Sequence, residues 1–154
     1  RSSGCWPRCS PCGWSLIFGK SRSVIEYKRR NLYKYTLAAD YHQPTALRPA
    51  AAILTKFIAL DTTGVLTIKK GYAWDGPSGP SIDTKTFMRG SMVHDALYQL
   101  IRDGWLTSHD RQYADQLLKQ ICLEAGMSRV RAWWVHKAVR LGGRSSVVDV
   151  FQAP

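Results

Sequence analysis

Residues 71–100, "GYAWDGPSGPSIDTKTFMRGSMVHDALYQL", change character in the middle, and the change sets the fold class. Upstream of the break, "LYKYTLAAD" (32–40), "AILTKFIAL" (52–60) and "GVLTIKKGYAW" (64–74) have strand-like patterning. The last two are joined by "DTTG" (61–64), whose Asp, Thr and Gly suit a short hairpin turn. Between the first two lies "YHQPTALRP" (41–49), whose two prolines read as a loop. A small antiparallel β-sheet is the expected result.

After the Gly/Pro/Ser-rich "DGPSGPSID" (75–83), the apolar period lengthens from two to about 3.6 residues. Phe87, Val93, Leu97, Leu100 and Ile101 then fall mostly on one stripe of a helix over 86–103, with Gly90 a tolerable defect in it. Thr107 and Asp110 form a capping-box-like start for a second helix. Its apolar face is Ala114, Leu117, Leu118, Ile121, Cys122 and Ala125, and Gly126 marks its end. Ser128 caps a third helix, "RVRAWWVHKAVRL", which is expected to end at Gly142-Gly143. Strands first and helices afterwards predict an α+β fold: a small antiparallel sheet followed by three helices, the first two an antiparallel pair.

A chain of 154 residues, 45% hydrophobic, sustains one core of ordinary size rather than two. The organisation expected is a basic arm at 1–31, a single domain at 32–143 and a tail at 144–154. Lysine and arginine number 22 against 11 acidic residues, a net charge of +11 that favours polyanionic partners. Much of that excess sits in the arm, where Arg1, Arg8, Lys20, Arg22, Lys28, Arg29 and Arg30 face Glu26 alone. Cys5, Cys9 and Cys12 cluster in "CWPRCSPC" while Cys122 is remote, which is not a disulfide framework and lacks a clear fourth metal ligand. The longest apolar run of the arm, "WSLIF", is far shorter than a bilayer span or the core of an export signal.

His94 and Asp95 are neighbours on the first helix, so their side chains diverge by about 100° and each must face a different partner. Asp115 is the candidate for His94. Counted from a turn centred near Trp105, His94 lies roughly eleven residues back and Asp115 roughly ten forward, within about one 1.5 Å rise of the same level. A carboxylate that holds one nitrogen of a histidine, leaving the other toward a pocket, makes a general base. Asp95 would point toward the preceding loop, which carries Asp75 and Gly and Pro carbonyls. Two carboxylates with carbonyl and water oxygens suit Ca2+ or, less well, Mg2+. A metal beside an imidazole base activates water and stabilises an oxyanion, the chemistry of a metal-assisted ester hydrolase. Plainer readings stand beside this one: His94 as a satisfied core histidine, Asp115 in a surface ion pair with Lys119 at i+4, and Asp75 and Ser78 as turn formers.

The series "GYAWDGPSGP", "VHDALYQL", "RQYAD" and "WWVHKAVRLGG" resembles a family of short phage and prophage proteins of unknown function, over about 32–143. Their pattern runs G-F/Y-x-x-D-G-x-S-x-P, then H-D-x-L-Y, R-x-x-A-D and a Trp-containing final helix. The resemblance implies a phage or prophage origin, in the particle or the host cytoplasm, and no particular activity. A weaker resemblance is to secreted phospholipase A2 of the prokaryotic type, in which a D-G-x-S-like calcium loop precedes an H-D-x-x-Y helix. It implies Asp75 and Asp95 as calcium ligands, His94 as general base, Asp115 as its orienting partner and Tyr98 as the tyrosine of the helix motif. The helix-locking disulfides of that family are absent and "GPSGP" departs from its loop.

Four readings of function follow. A phospholipase-like ester hydrolase would meet anionic lipid or envelope, with "RVRAWWVHKAVRLGGR" read first as a core stripe with solvated arginines and alternatively as Trp and Arg offered to an interface. A non-catalytic virion component, such as a tail or head-to-tail connector, would use the arm to bind other virion subunits. Direct nucleic-acid binding would use the arm's cations on phosphates and Trp6 or Trp14 for stacking. An HD-type phosphohydrolase fits worst, because His42 lies in the proline-rich loop rather than on an upstream helix.

Overall fold

The computed structural model describes residues 25, 27–29, 35–75 and 85–148. Among these residues seven short strands precede three helices: β1 (Tyr27–Arg29), β2 (Tyr35–Leu37), β3 (Tyr41–Pro44), β4 (Ile53–Leu54), β5 (Ile58–Leu60), β6 (Val65–Ile68), β7 (Ala73–Trp74), α1 (Lys85–Arg102), α2 (Asp110–Glu124) and α3 (Arg129–Val148). The α+β class and the antiparallel pairing of the first two helices are as expected. The strands, however, form two sheets rather than one, ordered β1-β2-β7 and β3-β6-β5-β4, antiparallel throughout. β1 falls within the stretch read as an arm and pairs Tyr27 with Leu37.

Each departure from the expected strands has a local cause. Residues 41–44, read as loop, form β3, which pairs with β6 alone and is an edge strand. An edge tolerates Pro44 because its missing N–H would have faced away from the ladder. "AILTKFIAL" is a hairpin, not one strand: the Thr55 hydroxyl donates to the Ile58 carbonyl at 2.9 Å and accepts from the Ile58 N–H at 3.0 Å. Threonine thus turns the chain where no Gly or Pro advertised it. "GVLTIKKGYAW" also breaks, at Gly71 with φ +91°, where the chain leaves one sheet for the other. The β2–β3 corner makes the same switch, and Asp40 there accepts from the Lys70 N–H at 2.7 Å, tying the two corners together. The "DTTG" turn is as expected, closed by Gly64 N–H to the Asp61 carbonyl at 3.1 Å.

The helix boundaries follow their capping residues. α1 ends in a left-handed Gly104, with Trp105 N–H on the Leu100 carbonyl and Gly104 N–H on that of Ile101. α2 ends the same way at Gly126, with Met127 N–H on Cys122 and Gly126 N–H on Leu123. Both are Schellman motifs. Asp110 Oδ2 accepts from the Thr107 N–H and hydroxyl, but the N-cap residue of α2 is His109, which makes no side-chain cap bond, so the box expected from Thr107 is only half formed. Ser128 Oγ accepts from the Arg131 N–H, as the sequence suggested. α3 does not stop at Gly142-Gly143 but runs on to Val148. Two glycines cost a helix roughly 2 kcal/mol against alanine, too little to end it without an accompanying left-handed cap.

The main core joins sheet residues such as Leu37, Leu60, Ile68 and Trp74 to α1 and α2 through Met92, Leu97, Leu100 and Ile121. A second cluster, Phe87, Leu118, Cys122, Met127, Ala132 and Val135, ties the three helices together. Gly90 is no defect here. A Cβ at that position would lie 2.8 Å from Leu118 Cδ1 and 3.0 Å from Cys122 Sγ, so glycine is what allows α1 and α2 their close approach. Cys122 is a core thiol, its pKa pushed up to about 12 by burial. Cys5, Cys9 and Cys12 lie outside the described residues, as does Ser78.

A candidate catalytic histidine on a helix pair

Helical spacing puts His94 and Tyr98, at i and i+4, on one face of α1, their ring centroids 4.1 Å apart. The facing turn of α2 carries Arg111 and Asp115, again at i and i+4. Asp115 is fully buried, and its Oδ1 accepts from His94 Nε2 at 2.9 Å and from the Tyr98 hydroxyl at 2.8 Å. Its Oδ2 lies 3.4 Å from Nη1 of Arg140, which reaches in from α3. Arg111 Nε donates to the Tyr98 oxygen at 3.0 Å, and its Nη2 donates to the Arg140 carbonyl at 3.2 Å. The level-matching argument for His94 and Asp115 therefore holds, and the surface pairing of Asp115 with Lys119 gives way to an inward-facing carboxylate.

Burial works against the charge on Asp115, but the hydrogen bonds from His94 and Tyr98, the charge of His94 and the hydrogen bond from Arg140 outweigh it and hold the carboxyl below its usual range. Burial likewise works against a charged His94, yet Asp115 and then Asp95 more than compensate and raise the imidazole's pKa. Tyr98 is pushed up to about 12, first by burial, with Arg111 opposing and Asp115 reinforcing. An ionised carboxylate only accepts, so the proton on His94 facing Asp115 belongs to Nε2. Nδ1 is left as the other working nitrogen. It lies 3.7 Å from Asp95 Oδ1, an ion-pair separation rather than a direct hydrogen bond. The His94 side chain is 10% exposed and that of Asp95 40%, so Asp95 stands on the solvent side of the histidine.

Asp75, exposed at the end of β7, is the last described residue before the Gly/Pro loop, whose residues 76–84 lie outside the described set. Among the described residues no group of three or more His, Cys, Asp or Glu side chains gathers to hold a metal. Asp75 and Asp95 are two carboxylates, fewer than the six to eight oxygens calcium takes. Sequence reasoning missed Arg140, Arg111 and Tyr72. The buried Tyr72 has its pKa raised by burial and then by the charge of Asp95, which places the two near each other. Arg111 was legible as the residue one turn before Asp115, whereas Arg140 depends on how α3 crosses the pair. His42, on the exposed edge strand β3, bonds Thr67 Oγ1 at 2.9 Å and takes no part.

The molecule is thus a small α+β protein whose antiparallel helix pair carries a buried histidine–carboxylate–tyrosine network. The chain belongs to the family described as "Protein of unknown function (DUF1353)", whose model matches residues 51–139. His94, Asp95, Tyr98, Arg111 and Asp115 all lie within the matched span. No curated protein and no solved structure matches the chain.

Proposed function

We propose that the protein is an ester hydrolase in which His94 is the general base. The observation that carries this reading is the hydrogen bond from His94 Nε2 to the buried Asp115, which orients the ring and leaves Nδ1 toward the more exposed Asp95. Asp115 fixes the tautomer, and Tyr98, bonded to the same oxygen, fixes the carboxylate. In the reaction Nδ1 takes a proton from water, the resulting hydroxide oxygen attacks the ester carbonyl, and the imidazolium returns the proton to the departing alkoxide. Asp95 and Asp75 would hold a hard cation such as Ca2+ only together with carbonyl and water oxygens, and that cation would supply positive charge to stabilise an oxyanion. The motif resemblance supports a phage origin, with lipid or another envelope ester as substrate.

Hydrolysis of short-chain nitrophenyl esters and of phospholipid, followed for the wild type and for His94→Ala, tests the proposal. Loss of about 10^2–10^4-fold in rate with the fold intact is the expected result. Equal rates in the two proteins, or no turnover of any ester by the wild type with calcium present, would overturn it. The cation assignment has its own readout: calcium should raise the melting temperature of the wild type and not that of Asp95→Asn.

A further inference from the structure

α3 has two apolar faces. Ala132, Val135 and Val139 turn inward and pack in the second core cluster. On the opposite side Val130, Trp133, Trp134, Lys137 and Leu141 fall within about 100° of arc on the helical wheel. Val130 is 70% exposed, Trp133 45%, Trp134 64% and Leu141 80%. The stripe read first as core is therefore split, and its two tryptophans are on the outside. They hold each other edge to face, with centroids 5.2 Å apart at 79°, and Lys137 Nζ lies 5.7 Å from the Trp133 ring. Single exposed apolar residues need no explanation, but four on one side of one helix, interrupted only by Lys137, form a surface suited to a partner.

The geometry points to docking of this outer face of α3 on an anionic lipid surface. Charge selects the occupant. Lys137 lies within this strip and α3 contains no Asp or Glu, in a chain of net charge +11. Two copies meeting through this face would set like charges against each other, which disfavours self-association. Indole rings and basic side chains together are what a headgroup layer accommodates: the rings enter the interface and Lys and Arg reach the phosphates. No described helix is long and apolar enough to cross a membrane, so the attachment is peripheral.

The full chain is mixed with sedimentable vesicles of phosphatidylcholine alone or with about 30% phosphatidylglycerol, at low salt and at roughly 0.5 M salt. Binding to the anionic vesicles, weakened by salt, is expected. It should fall by about tenfold or more in Trp133→Ser/Trp134→Ser and by about fivefold in Lys137→Gln, with melting temperatures unchanged. Undiminished binding by the double variant would assign the attraction to the basic N-terminal residues and overturn the inference. So would equal binding to neutral vesicles, or a dimer in sedimentation that the variants dissociate while no vesicle binds. The assay needs no turnover, so its outcome stands apart from the hydrolase proposal.

Discussion

The seam between α1 and α2 is built in two ways within little more than two turns. At Gly90 the helices meet carbon to carbon, with Leu118 Cδ1 and Cys122 Sγ where a side chain would otherwise stand. At His94 and Tyr98 they meet through hydrogen bonds to a fully buried carboxylate. Apolar packing at the first level is enough to hold two helices together. A buried ion at the second carries a desolvation cost that hydrophobic residues of similar volume would avoid, so the polar level is poorly explained as a device for stability alone. That contrast is the physical reason to look for chemistry at His94.

The comparison can be broken most severely at Asp115. Asp115→Ala leaves His94, Tyr98 and Arg140 facing a void and should cost about 3–5 kcal/mol in denaturant unfolding. If it costs less than about 1 kcal/mol, the polar level is loosely held and the geometric basis of the proposed base is gone. Acid probes the same group without mutation. The folded-state pKa of Asp115 lies below the ordinary carboxylate value. Its contribution is therefore complete above that value and is lost as pH falls through the lower folded-state value. Melting temperature followed between about pH 5 and pH 2 should decline more steeply in the wild type than in Asp115→Ala.

The apolar level should behave differently. Gly90→Val drives two methyl groups into Leu118 and Cys122 and should cost about 2–3 kcal/mol, by an amount independent of pH. Combining it with Leu118→Ala should recover part of that loss, and a strictly additive double variant would show that the close approach is not what the glycine serves. Smallest is Tyr98→Phe, which removes one of the two donors to Asp115 Oδ1 and the acceptor of Arg111 Nε. A loss of about 1 kcal/mol is expected, with any effect on ester turnover confined to kcat.

How much of this was legible beforehand differs from element to element. The "DTTG" turn, Gly126 and Ser128 behave as their chemistry dictates, because turns and caps are settled by a few bonds among near neighbours. The sheet was read less well. Thr55 turned a strand into a hairpin through its own hydroxyl, and Pro44 proved acceptable on an edge that only the pairing order reveals. Gly90 looked like a flaw from within its helix and became a requirement once α2 lay against it.

The candidate site divides along the same line. Helical rise and the length of the connecting turn bring His94 and Asp115 to one level, so their meeting was calculable from residue counts. Tyr98 entered through the resemblance of its helix motif, and its i+4 spacing from His94 is what lets it reach the same carboxylate. Arg140 closing on Asp115, the nearness of Tyr72 to Asp95, and the outward turn of Trp133 and Trp134 were not calculable in this way. Periodicity says which residues of a helix share a face. Which of two apolar faces is covered depends on where the neighbouring helices lie, and that is decided by the packing of the whole domain rather than by any one segment.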